Sequence, residues 1–239
     1  VLNKGDKQYD PLFAYGYGLS YSDEVFVTRL LEENKFTQPN EITVFLGSAY
    51  PSYHEVVSYF SSQKKEEVYD GVNSDIYFDE KSGLKISKFD YKKQDDAKQI
   101  DFGTNNTYKT WRISGSHENI SYMKNGSIQM VLKPQTLSNE SISLSFGCFK
   151  DESQINESES RDCYKSIDIS NHLRKNFDTK WKELNIPIKC LDNNDFELSH
   201  LTNRAQLSTS GNWKLDIHSI KYINNQGYNS CSINISDYE

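Results

Sequence analysis

Short segments in which apolar and polar residues alternate recur through the middle and the end of the chain. Examples are residues 84–89, 109–114 and 127–132. A period of two places successive side chains on opposite faces of a strand, so each segment predicts a β-strand with one buried face. Turn residues such as Asn-Gly and Ser-Asn separate the segments. Short alternating runs between turns are typical of an antiparallel β-sandwich.

The same alternation predicts further strands, and one helix interrupts them. The helix is predicted at residues 171–177, with Ser170 as its N-cap. The charged residues 61–71 are interpreted as a loop. Trp111 and Trp213 alternate with apolar neighbours and are predicted core residues, whereas Trp181 is predicted to pack the helix onto a sheet. The additional strands are predicted at residues 42–47, 99–102, 142–146, 186–190 and 213–220.

Composition and charge exclude several classes of protein. The aromatic content of 13% disfavours disorder, because disordered chains are poor in aromatic residues. The formal net charge is −7 and no basic stripe offsets it, which argues against a nucleic-acid partner. No window approaches the roughly 18–20 apolar residues that a membrane-spanning helix needs. Neutral ligands and cations remain compatible with this composition.

An aromatic, glycine-containing run near the start carries a resemblance to a known family. Residues 13–21 read Phe-Ala-Tyr-Gly-Tyr-Gly-Leu-Ser-Tyr. This run resembles the F-P-F-G-Y-G-L-S-Y stretch near the end of the second domain of glycoside hydrolase family 3 enzymes. In such an enzyme, everything after the run is an appended module.

Motifs in the body of the chain extend the resemblance in the expected order. Asp96-Ala97, followed by residues 100–102, is similar to a stretch of the galactose-binding-like domain appended to bacterial exo-β-glucanases. Residues 166–190, with D-I-S-x-x-L and then W-x-x-L-x-I-P-I-x-C, and residues 207–213 are similar to the same domain. The resemblance implies a jelly-roll, galactose-binding-like β-sandwich at residues 41–239. Residues 1–40 would be a tail and linker from the preceding domain.

The resemblance implies a module without catalytic residues. Family 3 hydrolysis uses two carboxylates that flank the glycosidic bond, and in the family both lie upstream of the aromatic run. The parent would be a bacterial exo-β-glucanase or β-glucosidase, periplasmic, secreted or at the cell surface. We expect the module to contribute to β-glucan binding or to shape the substrate entrance, with the upstream catalytic domains and a β-glucan or oligosaccharide as its partners. A purely structural or dimerisation module without glycan affinity, including a homodimer, is the alternative.

Sugar binding needs exposed aromatic faces for stacking and polar groups for the hydroxyls. Tyr50 and Tyr53 follow a predicted strand, where a loop would present them to solvent. Tyr122 lies in a polar turn, and Arg112 could hydrogen-bond a glycan or form a surface salt bridge. These four residues are the predicted carbohydrate-binding residues.

The sequence gives weaker indications of metal sites and of disulfides than of carbohydrate binding. No cofactor and no metal site are predicted, although jelly rolls of this kind often hold a structural calcium. Acids and amides of the right type occur in predicted loops. Four cysteines allow three pairings, and a disulfide between Cys148 and Cys163 would close a polar, acidic loop. Four free thiols are the alternative. The candidate calcium ligands are Asp70, Asn73, Asp75, Asp192, Asn193 and Asp195.

Overall fold

A computed structural model of the chain describes residues 40–47, 55–61, 64–71, 77–78, 83–92, 96–147, 164–178, 180–190, 198, 201–224 and 231–238. For the strands at 55–61, 64–71 and 77–78 the description covers the backbone and its register. The chain divides into two units, residues 1–39 and 40–239, and all described residues belong to the second. Among them, no helix is long and apolar enough to span a membrane.

Two antiparallel sheets contain the described strands. The first is eight-stranded, and its strands are β1 (Glu41–Leu46), β4 (Tyr77–Phe78), β5 (Lys85–Phe89), β6 (Ala97–Asp101), β8 (Ser127–Thr136), β11 (Lys182–Pro187), β13 (Lys214–Ile223) and β14 (Asn234–Asp237). Their order is β14-β11-β8-β13-β6-β5-β4, with β1 also paired to β13.

The second sheet is six-stranded. Its strands are β2 (Glu55–Ser61), β3 (Lys64–Gly71), β7 (Lys109–Glu118), β9 (Ile142–Gly147), β10 (Tyr164–Asp168) and β12 (Leu201–Thr209). Their order is β10-β9-β12-β7-β2-β3. The prediction that residues 61–71 form a loop is wrong, because β3 occupies most of that segment. β3 is an edge strand, and edge strands tolerate the charged side chains that suggested a loop.

The core lies between the two sheets. Trp111 and Ile113 of β7 belong to the same buried cluster as Leu132 of β8 and Ile217 of β13. The rings of Phe45 and Trp111 meet edge to face, with their centroids 5.4 Å apart. The prediction that Trp111 and Trp213 are core residues is confirmed, since both are fully buried. The alternation along the strands thus produces one continuous apolar layer.

β1 and β6 lie end to end along the same side of β13. The first half of β13 pairs with β6, and residues 219–223 pair with β1. Gly47 ends β1 with a φ of 52°, and a Cβ at this position would lie 2.3 Å from the backbone oxygen of Asp96. Only glycine allows this backbone conformation and this close approach without strain.

The short helix α1 (Ser170–Lys175) confirms the predicted helix, but Ser170 does not cap it. The Ser170 hydroxyl accepts a hydrogen bond from the Ile142 amide at 2.7 Å and so ties the helix to the start of β9. Asp168 instead accepts the Ser170 amide at 2.8 Å. Although partial burial opposes it, the pKa of Asp168 is lowered by hydrogen bonds from Ser170 and Ser141 and by the charge of Arg174.

Candidate functional site

A row of polar positions crosses the six-stranded sheet on the face turned away from the core. Residues paired directly across antiparallel strands point to the same side of a sheet. Since Trp111 and Ile113 point into the core, Arg112 between them points outward. The row contains Arg112 of β7, Gln206 of β12, Ser145 of β9 and Ser166 of β10, and we call it the polar row.

Members of the polar row form hydrogen bonds, and Arg112, Gln206 and Ser145 are shielded from solvent, whereas Ser166 is exposed. The Gln206 amide donates to the Ser208 hydroxyl at 3.0 Å, and the Ser145 hydroxyl donates to that of Ser166 at 3.0 Å. Arg112 is only 4% exposed and Gln206 only 6%. Hydrogen bonds are stronger in such a shielded environment than in water. The row can therefore supply strong polar contacts, but little of its surface is open.

The four predicted binding residues do not all meet at this row. Arg112 lies at its centre. Tyr122 lies in a 3₁₀ turn (Ser121–Met123) after the far end of β7 and packs partly buried against the core. Glu118 ends β7 six residues after Arg112, which is roughly 20 Å along a strand. Tyr50 and Tyr53 lie outside the described residues.

Five partly buried rings form a second surface on the eight-stranded sheet, which we call the aromatic cluster: Phe89, Tyr91, Trp181, His218 and Tyr238. The Tyr91 ring lies 4.9 Å from that of Trp181 and 4.3 Å from that of His218, between centroids. Tyr238 lies 5.8 Å from Tyr91, and Phe89 lies 6.4 Å from Trp181. The cluster combines apolar ring faces with polar hydroxyl, indole and imidazole groups.

Asp96 fixes the backbone around the aromatic cluster. Its carboxylate accepts the Tyr91 amide at 2.5 Å and the Lys92 amide at 3.0 Å. Its backbone oxygen accepts the Nδ1–H of His218 at 2.7 Å. The Lys92 ammonium lies 5.0 Å from the centre of the Tyr91 ring, within cation–π range. These bonds preorganise Tyr91 and His218, so the cluster is a defined surface.

Sequence reasoning missed the aromatic cluster because its members come from four separate segments of the chain, at residues 89–91, 181, 218 and 238. The Trp181 ring contacts Phe89, Tyr91 and His218, and its predicted packing of the helix onto a sheet stays a prediction. One signal was available. Leu184 and Ile186 point into the core, and Trp181 is out of phase with them, so strand alternation places it outward. His218 lies at an irregularity between Ile217 and Ser219 that alternation does not anticipate.

The described residues contain no group of three or more His, Cys, Asp or Glu side chains placed to hold a metal ion. Of the six candidate calcium ligands, only Asp70 lies in a described segment, on β3. The other five lie outside the described residues. A structural calcium therefore stays a prediction for the segments that carry those five.

A family model described as galactose-binding domain-like, Exop_C, matches residues 59–222, which is more than half of the chain. The chain belongs to this family. The galactose-binding domain-like region contains every residue of the polar row. It also contains four members of the aromatic cluster, and only Tyr238 lies beyond its end.

Solved structures give the same fold. The extra C-terminal domain of the exo-1,3/1,4-β-glucanase ExoP from a Pseudoalteromonas species matches with a TM-score of 0.57 at 14% identity, over 75% of this chain and 90% of that domain. The whole ExoP enzyme matches with a TM-score of 0.58 at 22% identity, over 93% of this chain. A family 30 carbohydrate-binding module of a Clostridium thermocellum cellulosomal cellulase matches with a TM-score of 0.51 at 16% identity, over 78% of this chain and 98% of the module.

At these identities the comparisons show a shared fold, the galactose-binding-like jelly roll, and this confirms the predicted fold class. The chain spans 25% of the length of the complete ExoP enzyme. No curated protein sequence matches the chain. The family and the fold are thereby established, and the ligand is a separate question.

Proposed function

We propose that this chain is a non-catalytic carbohydrate-binding module of a bacterial family 3 exo-β-glucanase or β-glucosidase. The proposal is carried by the aromatic cluster, where Trp181 is partly exposed and contacts Tyr91 edge to face. Aromatic rings provide large apolar faces, and their polar groups bond to hydroxyls, which suits a pyranose ring. A neutral glucan also meets no repulsion from a chain with a net charge of −7.

Tyr50, Tyr53, Tyr122 and Arg112 stay predicted contacts of the same ligand. Arg112 differs from the aromatic cluster because it lies on the other sheet and has little open surface. Substitutions in the two surfaces therefore distinguish two binding modes. If Arg112→Ala loses binding and substitutions in the aromatic cluster do not, the glycan binds to the six-stranded sheet.

Intrinsic fluorescence tests the proposal directly, because Trp111 and Trp213 are fully buried. A spectral change on titration with laminarin should therefore come from Trp181. We expect retarded migration in laminarin gels and a fluorescence blue shift for the natural chain. Trp181→Ala should lose the shift and weaken binding at least about tenfold, as expected for a central aromatic contact.

Tyr108→Ala is the matched control for the loss of a ring. Tyr108 is 49% exposed, directly precedes β7 and belongs to neither surface. The control should bind laminarin as the natural chain does. Equal weakening in both variants would mean that the effect of Trp181→Ala is not specific, and the aromatic cluster would be rejected as the site.

The absence of catalysis is tested separately. We expect the isolated chain to release no chromophore from a p-nitrophenyl β-glucoside, because the two carboxylates of family 3 hydrolysis are expected upstream of residue 13. Release that persists after removal of contaminating enzymes would contradict this part of the proposal.

The alternative is a structural module that packs on the catalytic domains or forms a homodimer. The burial of Arg112, Gln206 and Ser145 favours it, since shielded polar side chains contribute to the specificity of a fold without contacting a ligand. This alternative predicts no retardation by laminarin in any variant. A homodimer would give a concentration-dependent mass in analytical ultracentrifugation. Periplasmic, secreted or cell-surface location belongs to the same proposal about the parent enzyme.

A further inference from the structure

β14 is a short strand at the edge of the eight-stranded sheet. It has four residues and pairs with β11 alone, from Lys182↔Asp237 to Asn185↔Asn234. Its residues are partly or fully exposed. Because so short an edge strand buries little apolar surface, its position depends on what holds its two ends.

Ion pairs hold the last residue of β14. One carboxylate oxygen of Asp237 accepts a hydrogen bond from the Lys180 ammonium at 2.9 Å, and the other accepts one from the Lys182 ammonium at 2.5 Å. Lys182 also contacts Asp178 at 2.6 Å and is itself almost fully buried. This end of the strand is therefore fixed to β11 and to the segment before it.

Two thiols lie beyond the other end. Cys231 comes three residues before Asn234, the first residue of β14. The alignment of Asn185 with Asn234, continued for three residues, places Cys231 opposite Ile188. Ile188 begins the 3₁₀ turn that ends at Cys190. The Cys190 thiol is partly buried and hydrogen-bonds the exposed Cys231 thiol.

We propose that Cys190 and Cys231 form a disulfide that closes the start of β14 onto the end of β11. The reaction transfers two electrons and two protons from the two thiols to a small disulfide such as oxidised glutathione. One sulfur–sulfur bond of glutathione breaks, one forms between Cys190 and Cys231, and two molecules of reduced glutathione leave. The exposed Cys231 thiol is the first to react, and Cys190 then displaces glutathione from it.

The burial of Cys190 supports this order of attack. Burial, followed by the hydrogen bond and charge of Cys231, raises the pKa of Cys190 to about 12. Since the thiolate is the nucleophile, Cys190 attacks an external disulfide poorly. It reacts readily only with a sulfur that already lies beside it. The sulfur of Cys231, its hydrogen-bond partner, is in that position. Cys190 is therefore the second of the two thiols to react.

Peptide mapping under non-reducing conditions tests the proposal. The natural chain is incubated with oxidised glutathione, alkylated and digested. We expect a cross-linked peptide pair that contains Cys190 and Cys231, and alkylated forms of both cysteines after reduction with dithiothreitol. The disulfide closes a long loop of the unfolded chain, so oxidation should raise Tm by about 5–10 °C.

Two variants separate this bond from any other disulfide. In Cys231→Ser the cross-linked pair and the part of the Tm rise that it causes should disappear. In the double variant Cys148→Ser/Cys163→Ser both should remain. Alkylation of both Cys190 and Cys231 after oxidation, or a cross-link from Cys190 to Cys148 or Cys163, would overturn the proposal.

Discussion

At the scale of the residue, Asp216 is fully buried although it lies on the outer face of β13. It lies opposite Gln99 of β6 and Lys133 of β8. The Gln99 amide donates to one carboxylate oxygen at 2.8 Å, and the Gln135 amide donates to the other. Burial raises the pKa of Asp216, and the two amides and the charges of Lys133 and Lys214 offset part of that rise.

The raised pKa predicts the sign of a pH effect on stability. The folded chain holds the Asp216 proton more tightly than the unfolded chain, so this residue lowers stability as pH rises from about 4 through its folded pKa. Asp216→Asn removes the charge and keeps the shape. Relative to the natural chain, its free energy of unfolding should therefore be higher, meaning a more stable fold, at pH 7 than at pH 4. Urea unfolding at both pH values measures this, and an opposite difference would show that the carboxylate is not destabilised by burial.

At the scale of the element, the ion pairs at Asp237 predict the dynamics of β14. Hydrogen bonds from Lys182 and Lys180 lower the pKa of Asp237, so the support they give is present above about pH 4 and is lost as pH falls through the folded pKa. Asp237→Asn should speed hydrogen exchange at Ile235 and Ser236 a few-fold, with little change in the exchange of β13. Asp178→Asn, which removes a partner of Lys182 outside β14, should have a smaller effect there. Equal exchange in all three chains would contradict this role of Asp237.

The strands that sequence reasoning found and missed differ in their place in the sheets. The alternation at β8 and β13 is regular because both are central strands with one face in the core. β3 and β14 are edge strands whose sequences are charged or polar, so burial imposes no alternation on them.

The role of Ser170 could not be predicted from local sequence. The sequence predicts it as a helix cap, but its hydroxyl forms a hydrogen bond with β9, which is distant in the chain. Such pairings are properties of the tertiary fold.

At the scale of the whole molecule, the contact of Phe45 with Trp111 joins the two sheets through one buried pair. Trp111→Ala would leave a large cavity and should lower the free energy of unfolding by about 3–5 kcal/mol. Trp181→Ala, on the partly exposed aromatic cluster, should cost about 1 kcal/mol or less. Urea unfolding of the two variants measures the difference, and equal losses would contradict the assignment of Trp181 to a surface cluster.

The candidate site could be predicted only in part from sequence, because many of its contacts depend on the tertiary fold. Arg112 was identified as a polar residue between two core residues, and strand pairing then added Gln206 and Ser145 to its surroundings. The aromatic cluster requires the loop that Asp96 fixes and the irregularity at His218. No local pattern encodes these, because they arise where several strands end close together.

The position of β1 also determines how the sandwich responds to force. Because β1 pairs with β13 alone among the described strands, tension on the residues before Glu41 acts directly on the pairing with residues 219–223. Phe45 transmits that tension to Trp111 and so to the opposite sheet. Peeling β1 from β13 must therefore also pull Phe45 out of its contact with Trp111. The strand that such a pull reaches first is thus held by a core contact as well as by strand pairing.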